Sequence, residues 1–211
     1  MTRGALPADA VMAPQLFAAR AEPVRDLARQ AGEVARACHA MAERFHRGGK
    51  LVAFGTSTAS TDAQHVAVEF VHPVIVGKRA LPAISLTTDI ATVTGVAARD
   101  GMAEIFARQL PSLAEPADIA LGIAPDGRSP AVLAGLAAAR ELGMLTIALA
   151  GGPEGAAGPV AASPAVDHVL LAASADPLIV KEVQVTTYHV LWELVHVFFE
   201  QPGVLGPGVI A

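Results

Sequence analysis

Aromatic residues make up only 4% of this 211-residue chain and charged residues only 17%. With so few rings, the core has to be packed from Ala, Val, Leu and Ile, a composition that suits helices laid on a buried parallel sheet. No apolar run reaches the roughly 18 residues that a membrane-crossing helix needs, so no transmembrane segment is expected. Cys38 is the single cysteine, which excludes an intramolecular disulfide and fits a reducing compartment. The opening stretch MTRGALPADAVMAPQLF lacks a signal-peptide core, and a cytoplasmic location is expected. Positive charge is not in excess either. The formal net charge of −5 argues against a protein that binds nucleic acid by neutralising phosphates.

Apolar residues, by contrast, are abundant. At 53% hydrophobic content the chain has ample surface to bury against its conformational entropy, so disorder is excluded. The mean hydropathy of +0.46 exceeds what one core requires and predicts apolar surface covered by other subunits.

Hydrophobic periodicity orders the chain. Residues 1–21 read as a loose arm, with Pro7 and Pro14 in it. Helical spacing from Val24 through Leu27, Val34, Cys38, Met41 and Phe45 predicts one long helix over 22–48, ended by Gly48-Gly49. Short apolar strands are expected at 51–54, 83–86, 119–123, 145–149 and 166–171, with helices near 60–70, 102–110 and 130–142 between them. A last long helix is expected over 176–200 and an extended tail over 201–211. Strands alternating with helices give an α/β domain with a doubly wound, five-stranded parallel sheet, its core spanning 50–172, and no linker divides it. Ligands of such sheets sit at the carboxyl ends of the strands. These ends are the segments 55–60, 87–89, 124–129 and 150–152.

Chemistry-bearing residues gather at those ends. After the first strand come Thr56, Ser57, Thr58 and Ser60 at a helix N-terminus, an arrangement that holds an anion through hydroxyls, backbone N–H groups and the helix dipole. N-capping by Ser60 or Thr61, with the Asp62 carboxylate favourable to the helix dipole, is the plainer alternative. His65 and Glu69 stand four apart, hence on one helix face, a spacing common both to metal ligands and to accidental pairs. The last helix carries Lys181, His189 and His196, the last of these best read as a satisfied interface residue. In the loop after the third strand, Ser129-Pro130 reads as an N-cap followed by Pro at the first helical position, and Asp126-Gly127 as a turn whose carboxylate would repel a phosphate.

Taken together, DAQHVAVEF (62–70), ALPAISLTTD (80–89), EIFARQL (104–110) and GRSPAVLAGLAAARELGMLTIALAGG (127–152) resemble the SIS-domain family, in its phosphoheptose (sedoheptulose 7-phosphate) isomerase branch. The resemblance covers about residues 22–200. It implies a flavodoxin-like three-layer domain, a homotetramer built on the first and last long helices, and sites between subunits that take a sugar phosphate. In those isomerases a His, a Glu, a Gln and a second His surround zinc. The matching positions are His65, Glu69, Lys181 and His189, with Glu69 and His189 also the acid/base pair and His65, Glu69 and His189 the metal ligands.

The resemblance further assigns substrate contacts to Thr56, Ser57, Thr58, Ser60, Asp89, Arg128, Ser129 and Lys181. Several positions depart from the pattern. Lys181 replaces a Gln ligand; an ammonium has no lone pair for a metal, and it could instead pair with Glu69 and take the cation's place. Ala124, Pro125 and Asp126 stand where a hydroxyl-rich phosphate loop is expected, with Arg128 as a compensating cation. GTSTAS replaces GNGGSA after the first strand, and Pro73 stands near the place of an expected Arg. Three readings stay open at this point. They are an isomerase of the family, a binding or assembly protein that keeps the tetramer without the chemistry, and an isomerase for a different, unphosphorylated sugar whose hydroxyls or carboxylate Asp126 and Arg128 would read.

Overall fold

The computed structural model describes residues 12–153, 158–201 and 203–205. The beginning of the expected arm and the end of the expected tail lie outside them. Five parallel strands form one sheet in the order β2-β1-β3-β4-β5: β1 (Leu51–Gly55), β2 (Ala83–Ser85), β3 (Ile119–Ala124), β4 (Leu145–Gly152) and β5 (His168–Ala173). Every residue of β1 and β3 is buried, which is why these strands read as continuous apolar runs. Side chains alternate between the faces. Leu51 and Ala53 enter the core under α1 (Ala13–Arg29), α2 (Ala31–His46), α3 (Thr58–Val71) and α8 (Pro177–Glu200). Val52 and Phe54 enter a second core under α6 (Pro130–Glu141) and the segment around Ile105 and Phe106. The result is the three-layer arrangement expected.

Several boundaries differ from the sequence reading. Helix begins at Ala13, inside the stretch read as an arm, because Leu27 at its far end packs into the core and Arg20 pairs with Glu182 of α8. The single helix expected over 22–48 is two helices meeting at Gln30. Gln30 leaves helical geometry to exchange two hydrogen bonds with Leu171 on the edge strand β5, donating from Nε2 to its carbonyl (2.8 Å) and accepting its N–H (2.9 Å). A helix at 90–100 was not expected. It is α4 (Ile90–Asp100), N-capped by Asp89. The helix expected over 102–110 reduces to a 3-10 turn at Met102–Glu104 and a short α5 (Leu110–Leu113), because Gly101, at φ +97°, breaks the chain direction. Another short helix, α7 (Gly158–Ala161), lies between β4 and β5. In the tail, Gly203 stands at φ +79° and the Val204 N–H donates to the Gln201 carbonyl, where extended chain was expected.

Cys38 lies wholly inside the core, and burial pushes its thiol up to about 12. The thiolate is the reactive form, so Cys38 should resist alkylation in the native protein and react at the rate of a free thiol once the chain is unfolded. Mass spectrometry after timed alkylation reads this directly.

Candidate active site

The strand order reverses direction between β1 and β3, so the loops that follow them part at the top of the sheet and leave a crevice. Across it the Thr56 and Ser129 hydroxyls meet at 3.2 Å. On one side lies a cleft of about 530 Å³ lined by Thr56, Ser57, Ser60, Thr87 and Ser129 and, on its apolar wall, Phe106. On the other side is a cavity of about 400 Å³ shared by Thr56, Ser57, Thr58, Asp126, Arg128 and Ser129. The hydroxyl candidates Thr56, Ser57, Thr58, Ser60 and Ser129 and the cation Arg128 therefore do converge. The β3 loop packs so tightly over Gly151 that a Cβ there would run into the Pro125 carbonyl oxygen.

Neither Ser60 nor Thr61 caps α3. Their hydroxyls donate back to the carbonyls of Ser57 and Thr58, both at 2.7 Å, and no side chain caps this helix. Ser57 stands just before it at φ +56°, ψ −127°, the one non-glycine residue at positive φ among the described residues. A side chain in this conformation is strained by about 1–3 kcal/mol. Ser57→Gly should accordingly stabilise the protein by about 1 kcal/mol and raise its melting temperature by about 2–4 °C, measured by thermal unfolding.

Ser129 caps α6, accepting from the Val132 N–H at 3.4 Å, with Pro130 at the first position as expected. Asp126 accepts the Arg128 N–H at 2.9 Å, the turn read from the sequence, while the Arg128 guanidinium forms no ion pair among the described residues. Asp89 lies apart from these residues. Its carboxylate is spent on α4, accepting from Ala91 N, Thr92 N and the Thr92 hydroxyl, and these bonds hold its pKa below the usual range. It lines a separate groove with Thr88, Thr92 and Arg108.

Below the cavity, Thr58, Asp62, His65 and Glu69 make one stripe along α3 at intervals of four, three and four, facing α8. Glu69 sits between two imidazoles. His65 Nε2 lies 3.1 Å from its Oε1 and His189 Nε2 lies 3.8 Å away. One ligand atom from each of the three falls within 4.8 Å of the others. The two rings meet edge to face at 5.2 Å. Both histidines are exposed on one side, while Glu69 is mostly buried.

Lys181 does not reach Glu69. Its ammonium is bound by both oxygens of Asp62, each at 2.7 Å, with the Thr58 carbonyl at 3.5 Å. Helical rise explains this. Lys181 lies eight residues, about 12 Å, below His189 on α8, level with the first turns of α3 rather than with its third. Asp62 was legible only as a charge favourable to the helix dipole, although its place three residues before His65 on the same stripe was a usable signal. Tyr188 gave no sequence signal beyond adjacency to His189. It is fully buried, and its hydroxyl lies 2.8 Å from His65 Nδ1. His196, read as a satisfied interface residue, is buried within the chain, its two ring nitrogens lying 2.8 Å from the Trp192 carbonyl and 2.9 Å from that of Arg79.

The donor set fits a zinc ion. Two imidazole nitrogens and a carboxylate oxygen, all within 4.8 Å of one another, are ligand types that can surround one point and leave an open fourth position of the kind catalytic sites keep. Lys181, held by Asp62, stays clear of that point.

Comparison with known proteins accords with this geometry. The SIS domain family model matches residues 17–151. A phosphoheptose isomerase of Solidesulfovibrio magneticus is 38% identical over 208 residues, covering 98% of each chain. A phosphoheptose isomerase of a Roseiflexus species is 36% identical over 174 residues, 81% of this chain and 84% of its own. Among solved structures, a phosphoheptose isomerase from Francisella tularensis superposes with a TM-score of 0.82 at 26% identity, over 90% of this chain and 99% of that one.

Proposed function

The chain belongs to the SIS-domain family, and from that premise we propose that it is an aldose–ketose isomerase acting on a linear sugar phosphate of the sedoheptulose 7-phosphate class. The convergence of His65, Glu69 and His189 carries this reading.

The hydroxyls and the uncapped N-terminus of α3 hold the phosphate end, with Arg128 supplying the cation. Hydroxyl residues missing from the β3 loop are present instead in the β1 loop, across the same crevice. From Thr58 to His65 the helix rises about 10 Å, a span that a six- or seven-carbon sugar phosphate bridges and a triose phosphate does not. At the other end, Glu69 takes the proton from the carbon beside the carbonyl and returns it to the neighbouring carbon. His189 moves a proton between the two oxygens, and an enediol lies between the isomers. A zinc ion held by His65, Glu69 and His189 supplies, when bound, polarisation of the substrate carbonyl.

The test is turnover of sedoheptulose 7-phosphate in deuterated water. The expected result is isomerisation with solvent deuterium at the exchanged carbon. Absence of turnover with ketose phosphates of every length would leave the binding or assembly reading. Asp126 in the anion cavity favours one variant, an unphosphorylated sugar whose hydroxyls it accepts from. Turnover of free sedoheptulose at a rate matching or exceeding the phosphate ester would establish that variant.

We further read the whole chain as one domain and place it in the cytoplasm as a homotetramer. Leu16 and Phe17 of α1 and the run Val74, Ile75 and Val76 leave apolar surface for other subunits to cover. No helix of the described residues is long and apolar enough to cross a membrane. Light scattering on the eluting protein should give four chains, and a monomer would overturn the tetramer.

A further inference from the structure

We infer that Tyr188 is a positioning residue of the active site, whose hydroxyl fixes the ring orientation and the proton placement of His65 so that Nε2 is presented to the metal point beside Glu69 and His189.

The argument begins with what His65 touches. Nε2 faces the Glu69 carboxylate at 3.1 Å, and a carboxylate only accepts, so in the metal-free protein Nε2 carries the proton. In a neutral imidazole, Nδ1 is then bare. Its partner is the Tyr188 hydroxyl at 2.8 Å, which must donate. A phenol, with an ordinary pKa of about 10, is a neutral hydroxyl near pH 7 and can both donate and accept.

A metal on Nε2 needs that nitrogen's lone pair, which requires the proton to sit on Nδ1 instead. A hydroxyl can follow this change, because the same oxygen that donated to Nδ1 can accept from Nδ1–H. A backbone carbonyl could serve only the second arrangement, and a phenylalanine neither. Tyr188 therefore gives His65 a buried partner with or without a metal, the office that an outer-shell group performs for a ligating histidine.

Packing reinforces the hydrogen bond. The Tyr188 ring lies edge to face with His65 at 5.3 Å and with His189 at 4.9 Å. One fully buried ring thus touches both imidazoles, and its place beside His189 in α8 ties the two helices at the height of the site. Tyr188 is also the only tyrosine of the chain, so any tyrosine signal in the near ultraviolet belongs to it.

This inference rests on the three-ligand metal reading, and its test separates the two. Zinc affinity is measured by competition with a chromophoric chelator for the wild type and for Tyr188→Phe, with thermal unfolding of both metal-free proteins as the fold control. Tyr188→Phe should bind zinc about ten- to a hundredfold more weakly. Zinc added to the wild type should perturb the tyrosine absorption. Nitrogen-15 NMR of the metal-free wild type, which needs no variant, should find His65 as the Nε2–H tautomer. Equal zinc affinity in the two proteins, or an Nδ1–H tautomer in the metal-free wild type, overturns the role of Tyr188 and leaves the ligand set standing. No zinc bound by the wild type overturns the ligand set and this inference together.

Discussion

Glu69→Gln should lower kcat for ketose-phosphate isomerisation by about 10²–10⁴-fold while leaving the chain folded. Gln keeps the volume of the side chain and retains an oxygen that can accept from His65 Nε2, so the stripe on α3 and its packing against α8 persist. What disappears is the basic lone pair. An amide oxygen does not take a proton from carbon, and neither neighbour of Glu69 can substitute for it. His65 is held by Tyr188 and by the residue at 69 itself, and His189 is assigned to the oxygens. Glu69 is also one of the three proposed metal ligands, so the rate should be measured at saturating zinc and the zinc content determined alongside. A rate loss that persists with zinc fully bound assigns the loss to proton transfer. Wild-type turnover in the variant would remove Glu69 from the chemistry.

Lys181→Gln should move stability and metal affinity in opposite directions. In the native protein the Asp62 carboxylate is almost wholly buried and Lys181 is its ion-pair partner. Removing the ammonium leaves that carboxylate unpaired. The loss of stability without metal should be about 2 kcal/mol, less than for a fully buried pair because the Lys181 side chain is 38% exposed and partly hydrated. Zinc affinity should instead rise by about tenfold or more. The Asp62–Lys181 pair contributes no net charge, whereas Asp62 beside the neutral amide of the variant leaves one uncompensated negative charge close to a dication. That attraction is electrostatic and acts across the helical turn between Asp62 and His65. Chemical denaturation of the metal-free variant and chelator competition of the loaded one measure the two effects. Adding Asp62→Asn should recover most of the lost stability, since no buried charge then remains. If Lys181→Gln weakens zinc binding, the ammonium is not opposing the metal and the account of this position is wrong.

The residues that act together were partly legible before any fold. His65 and Glu69 are four apart, and a helix puts them on one face whatever surrounds it. Hydroxyls after a strand and before a helix point to an anion by position alone. Lys181 was misplaced, by contrast, because its partner depends on the relative height of two helices far apart in the chain. Residue spacing within each helix says nothing about how α3 and α8 slide past one another. Asp89 shows a different ambiguity: a cap and a ligand contact are the same sequence signal, an acidic residue ahead of a helix, and the hydrogen bonds to Ala91 and Thr92 establish the cap. Tyr188 was silent because a buried hydroxyl has meaning only through what faces it.

By itself, then, the sequence determined the alternation of buried strands and helices, hence a parallel sheet, and the ends of it at which ligands gather. These follow from local periodicity and from steric rules of chain connection that hold for any such chain. It did not determine the break at Gln30, the choice of Asp62 over Glu69 as the partner of Lys181, or the contact of Tyr188 with His65. Each of these is a meeting of groups from separate parts of the chain, such as the α1–α2 junction with β5 or α3 with α8, at distances of about 3 Å. Hydrogen bonds and ion pairs are lost over an ångström or so, a precision that tertiary packing supplies and residue order does not.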